Sequence, residues 1–126
     1  MENSTMQRGP EQWFLDAHPE RGSVRVQVST GRGLFPVEGA RVEIYRRLGP
    51  EPTVFYEGVT DASGIAEDIR LPALPAGWSQ SAETAGISGT VYQVSVRHPQ
   101  HGTVEGRPVT VFPRIETVLA VSLGAV

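Results

Sequence analysis

Apolar and polar residues alternate along most of the chain, turn chemistry recurs at short intervals, and no stretch of ten or more residues carries the helical period. Together these predict an all-β fold: a seven-stranded antiparallel sandwich of two sheets, with a long loop between the fourth and fifth strands. At 126 residues the chain has the length of one domain and can bury roughly two thirds of its unfolded surface. It contains no cysteine, so no disulfide, thiolate metal site or cysteine nucleophile is available, and the core must rest on apolar packing.

Residues 1 to 21 read as a leader, either flexible or docked through the neighbouring aromatics Trp13 and Phe14, and residues 22 to 126 as the sandwich. The first strand begins at Ser23, with Val24, Val26 and Val28 opposed to Arg25, Gln27 and Ser29. After Thr30-Gly31-Arg32-Gly33 and Gly39, a second strand sets Ala40, Val42 and Ile44 against Arg41, Glu43 and Tyr45. Gly49-Pro50-Glu51-Pro52 breaks the chain, and Thr53 to Val59, rich in β-branched and aromatic residues, forms the third.

Asp61-Ala62-Ser63-Gly64 is a tight turn, because Asp at its first position can cap its own backbone and Gly at its last tolerates positive φ. Ile65 to Leu71 then returns antiparallel to the third strand. The stretch from Pro72 to Gly89 is irregular, and loops of that length inside a domain are often functional. Tyr92, Val94 and Val96 alternate in the fifth strand, and the runs Val104 to Phe112 and Ile115 to Leu123 complete the seven, the last with Thr117, Leu119, Val121 and Leu123 on one face.

Composition narrows the function. The net charge is -3, and all eleven basic residues are arginines scattered from Arg8 to Arg114, with only Arg46 and Arg47 adjacent. No nucleic-acid partner is expected, since such binding needs a dense basic stripe to neutralise phosphates. The lack of lysine removes Schiff-base chemistry and lysine isopeptide crosslinks. No run of apolar residues is long enough for a secretory signal or a membrane span. Synthesis in the cytoplasm is therefore expected, with association to a spore or cell envelope left open.

The order Gly22-Ser23-Val24-Arg25-Val26, Pro36 to Ile44, Thr60-Asp61-Ala62-Ser63-Gly64 and Tyr92-Gln93-Val94-Ser95-Val96 resembles the carboxypeptidase regulatory-like sandwiches, which are transthyretin-like or Ig-like in fold. It spans residues 22 to 123. Leu71-Pro72-Ala73-Leu74-Pro75 and Val109-Thr110-Val111-Phe112-Pro113 are similar to runs in the β-sandwich of clostridial spore cortex-lytic proteins. That likeness implies a domain accompanying spore-envelope or cell-wall machinery. One transthyretin-like branch hydrolyses 5-hydroxyisourate with histidines, an arginine and a C-terminal tetrapeptide ending in Gly-Ser. Here the chain ends Leu123-Gly124-Ala125-Val126 and has no histidine in the corresponding early strand.

Candidate chemistry is sparse. His98 and His101 have the spacing of two metal ligands, but a full site needs three or four, so no metal and no cofactor are expected. Gly86-Ile87-Ser88-Gly89 is the nearest approach to a nucleophile elbow and lacks the strand-to-helix setting. Glu57, Asp61, Glu67 and Asp68 read as a solvated sheet edge, with an acid/base pair or a calcium site as the alternative. The chain is therefore expected not to be an enzyme. The leading expectation is a non-catalytic interaction module contacting a protein or cell-wall polysaccharide through Trp78 on the long loop, Tyr92 and Trp13, aromatics offering flat contact area at low entropic cost. The alternative is a structural spacer that associates through its edge strands, as monomer or homodimer, and a small hydrolase is the remote third.

Overall fold

The computed structural model describes residues 9–74 and 89–124. They form one helix, α1 (Pro10–Ala17), and eight strands: β1 (Glu20–Thr30), β2 (Phe35–Pro36), β3 (Arg41–Arg47), β4 (Pro52–Val59), β5 (Ile65–Ala73), β6 (Thr90–His98), β7 (Gly102–Val111) and β8 (Glu116–Ser122). One sheet is built on β1, which pairs with β5 on one side and β8 on the other, while the two-residue β2 pairs with its last residues. The second sheet runs β4-β3-β6-β7. The two face each other as a sandwich, and all seven anticipated strands are present.

Period-two alternation explains the core. Val24, Val26 and Val28 from β1, Val42 and Ile44 from β3, Ile69 and Leu71 from β5, and Tyr92, Val94 and Val96 from β6 are all buried, and Val121 of β8 closes the layer. Such burial contributes about 1.5 to 3 kcal/mol per large side chain before conformational entropy is subtracted. The Asp61 turn forms as expected: Asp61 Oδ1 accepts the backbone N–H of Ser63 at 2.9 Å and of Ile65 at 3.0 Å, and Gly64 has φ of 77°. Behind it, buried Thr60 accepts the N–H of Ala40 at 2.9 Å and donates to the Val37 carbonyl at 2.6 Å.

Four features differ from expectation. The turn at Asp61–Gly64 does not join paired strands: β4 lies in one sheet and β5 in the other, so the chain crosses the sandwich there. The sheets are not wholly antiparallel, because β8 runs parallel to β1 from Ser23↔Glu116 to Ser29↔Ser122. β2 is an added eighth strand. The segment before Glu20 contains α1, an eight-residue helix with Pro10 at its first position and Glu11 in its first turn. It escaped a periodicity reading because one residue, Phe14, is its buried anchor.

Candidate functional site

One end of the sandwich gathers α1, the β3–β4 turn, the β7–β8 turn, the start of β1, and Leu74 and Gly89, which bound residues 75–88. Phe14 projects from α1 to the mouth of the core. Its ring meets Phe55 of β4 edge-on at 5.7 Å between centroids and Tyr92 of β6 at 6.3 Å, and Phe55 and Tyr92 pack edge-on at 5.2 Å. Edge-to-face geometry suits aromatic quadrupoles and adds to the burial term. A helix of eight residues is too short to persist alone in water. Docking through buried Phe14, with half-buried Leu15 packed on the core beside it, is what holds it.

Two polar side chains use the same ring. His18 stacks on Phe14 at 3.9 Å, and the Arg46 guanidinium lies 5.1 Å from its centroid, within cation–π range. Arg46 also donates through Nη1 to the Val91 carbonyl, while its Nε is buried with no partner among the described residues. His18 Nδ1 lies 2.7 Å from the Phe14 carbonyl oxygen, a contact favourable only when Nδ1 carries the proton. Nε2 of neutral His18 is then a lone-pair acceptor. Burial, with the Arg46 charge as a smaller contribution, holds the His18 pKa below its ordinary 6.5, against the opposing hydrogen bond to Phe14.

The sign of that shift gives a prediction. The undocked helix binds the proton more readily than the docked one, so the contribution of His18 to docking is complete above pH 6.5 and is lost as pH falls through the lower docked-state value. Protection factors of residues 13–18, each referred to the intrinsic exchange rate at that pH, are expected to fall over that interval while those of β6 hold, and His18→Gln should flatten the response. An equal fall in both elements would contradict it.

The three aromatics singled out from the sequence fare differently. Trp13 sits on α1 beside the anchor and is 62% exposed. Tyr92 is corrected from a contact residue to a core one: it is fully buried, its hydroxyl donates to the Pro72 carbonyl at 2.6 Å, and burial pushes its pKa up despite the opposing charges of Arg46 and Arg21. Its alternation with Val94 and Val96 already placed it on the inward face. Trp78 lies outside the described residues. His18 and Arg46 were missed, because their relation exists only once α1 packs against β3 and β6.

Elsewhere the surface is less suggestive. A depression of about 420 Å³ at the opposite end is lined by Gln27, Ser29, Gly33, Pro36, Ser63 and Ile65 among others, with no titratable side chain. His98 and His101 stand 4.8 Å apart between ring centroids, and His98 Nδ1 accepts the Gln100 N–H, so the first ring is engaged in closing its own turn. Among the described residues no group of three or more His, Asp or Glu side chains could hold a metal, and no helix is long and apolar enough to cross a membrane.

No family model matches the sequence, and no curated protein is similar to it. Solved structures are similar in fold. 5-Hydroxyisourate hydrolase of Klebsiella pneumoniae matches with a TM-score of 0.51 at 12% identity, over 82% of this chain and 92% of that one. A 3-chlorocatechol 1,2-dioxygenase of Rhodococcus opacus 1CP matches at 0.54 and 13%, over 85% of this chain and 61% of that one. An (S)-allantoin synthase matches at 0.51 and 14%, over 85% and 42%.

The sandwich is thus transthyretin-like in fold, and its structural neighbours include enzymes. They correct the expectation that this chain is not an enzyme. The lack of a nucleophile elbow, lysine or cysteine does not remove catalysis from such a sandwich, because chemistry resides in side chains grafted on the fold rather than in the fold itself.

Proposed function

We propose that the chain binds a partner at the end capped by α1, with Trp13 as the principal contact. The observation that carries this is an indole 62% exposed on a helix whose neighbouring residue, Phe14, is pinned in the core. An aromatic on a pre-positioned platform binds with little further loss of conformational freedom. Leu74 and Gly89, the described residues on either side of 75–88, lie at this same end. Cell-wall polysaccharide is the first partner to test, because sugar rings stack on the flat face of an exposed indole.

Trp13→Ala is expected to weaken retention on purified peptidoglycan by about tenfold or more, the scale of a hot-spot aromatic. The melting temperature should hold nearly constant, since exposed positions contribute within about 0.5 kcal/mol. Full retention by Trp13→Ala would overturn the reading.

A second reading rests on His18. A neutral His18, with Nδ1 held at the Phe14 carbonyl, can take a proton at Nε2 from a bound hydroxyl or water, and the Arg46 charge on the same Phe14 ring favours developing negative charge. If bound ligand is turned over, His18→Gln should abolish turnover and leave retention intact.

A further inference from the structure

A second cluster lies on the outer face of the β1 sheet, at the same end as α1. Arg21, Ser23, Arg70 and Arg114 line a shallow depression of about 250 Å³ together with Gly22. The register explains three of them: on β1 the even residues Gly22 and Val24 are buried, so Arg21 and Ser23 face outward, and Ser23 pairs with Arg70 on β5. Arg114 arrives from the β7–β8 turn. Its backbone N–H donates to the Arg21 carbonyl at 2.8 Å, and it holds a left-handed φ of 63°, which costs a non-glycine residue about 1 kcal/mol or more.

Three guanidiniums repel one another unless countered. Glu20 meets Arg114 at 3.5 Å, but among the described residues no carboxylate comes within ion-pair distance of Arg21 or Arg70. In a chain of net charge -3, this is an arrangement with an excess of donors and positive charge. Planar guanidinium forks match phosphate and carboxylate oxygens in pairs, and the Ser23 hydroxyl adds a neutral donor.

We propose that this depression is a binding site for an oxyanion, a phosphate or carboxylate group, held by Arg21, Arg70 and Arg114. The site is distinct from the Trp13 surface and does not depend on it. Being open, it takes a free small anion or an anionic group at the edge of a small molecule.

The test titrates the full chain, labelled with nitrogen-15, with inorganic phosphate in one arm and citrate in the other, sodium chloride holding ionic strength constant. Saturable amide shifts are expected at residues 21–23, 70 and 114, and the arm that saturates at lower concentration identifies the oxyanion. Arg70→Gln should raise the apparent Kd about tenfold, the scale of one charge-assisted hydrogen bond pair. Arg97→Gln, on the other sheet, should leave it unchanged and serves as a control for net charge. Shifts that never saturate in either arm, or an equal loss in Arg70→Gln and Arg97→Gln, would overturn the proposal.

Discussion

Gly22→Ala is expected to destabilise the protein by about 3 kcal/mol, the upper range of overpacking in a filled interior, and to lower the melting temperature by roughly 10 °C. Gly22 is buried in β1 where the strand passes over the end of β7. A Cβ built there falls far inside contact distance of the Phe112 carbonyl oxygen and against Val111 Cγ1. The carbonyl belongs to the backbone where β7 ends, and the next residues turn into β8, which is itself paired with β1. No side-chain rotation can relieve the clash, so the sheets must separate at this end. Gly49→Ala is the control: its added Cβ would sit 3.5 Å from Pro10, an ordinary contact. Urea unfolding of the two variants separates the cases, and equal midpoints would show that the two sheets can part at Gly22 without loss.

Phe14→Ala should release α1 from the body. Truncating a buried phenylalanine typically costs about 3 to 5 kcal/mol, and here the loss is concentrated in one element. The ring carries the contacts to Phe55 and Tyr92, the His18 stack and the Arg46 contact. An eight-residue helix without them melts. Hydrogen exchange in α1 should rise toward that of an unstructured segment, while β1 beyond Gly22 and β6 retain protection. Retention through Trp13 should fall in the same variant, because the indole loses its platform. Protected α1 amides in Phe14→Ala would mean that contacts other than this ring hold the helix.

The strands were legible because alternation is a local property. Val24-Val26-Val28 and Tyr92-Val94-Val96 declare a two-residue period whatever lies opposite them, and every one of these residues is buried. The Asp61–Gly64 turn was equally local, since its hydrogen bonds close within four residues. Partner choice was not local. Nothing near Asp61 says that the strands it joins lie in different sheets, nor does the Ile115 to Leu123 run say that it adds parallel to β1.

The candidate site was less legible for the same reason. Trp13 stood out as an aromatic in a polar leader, but the division of labour between Trp13 outside and Phe14 inside follows from where α1 sets down. His18 is 28 residues from Arg46 (46 minus 18) and shares a ring with it only after α1 docks. Arg21, Arg70 and Arg114 come from three separate parts of the chain and meet through strand pairing and one left-handed turn residue.

The all-β sandwich, its seven long strands and the inward or outward sense of the residues in β1, β3, β6 and β8 were determined by the sequence alone. Side-chain alternation and turn chemistry act over a few residues, and burial follows them. Only the tertiary structure decided which strands pair, that α1 closes one end, and that the imidazole and guanidinium groups gather there. Those outcomes depend on contacts between segments far apart in the chain, which are settled by mutual packing of the two sheets and leave no periodic trace in any one segment.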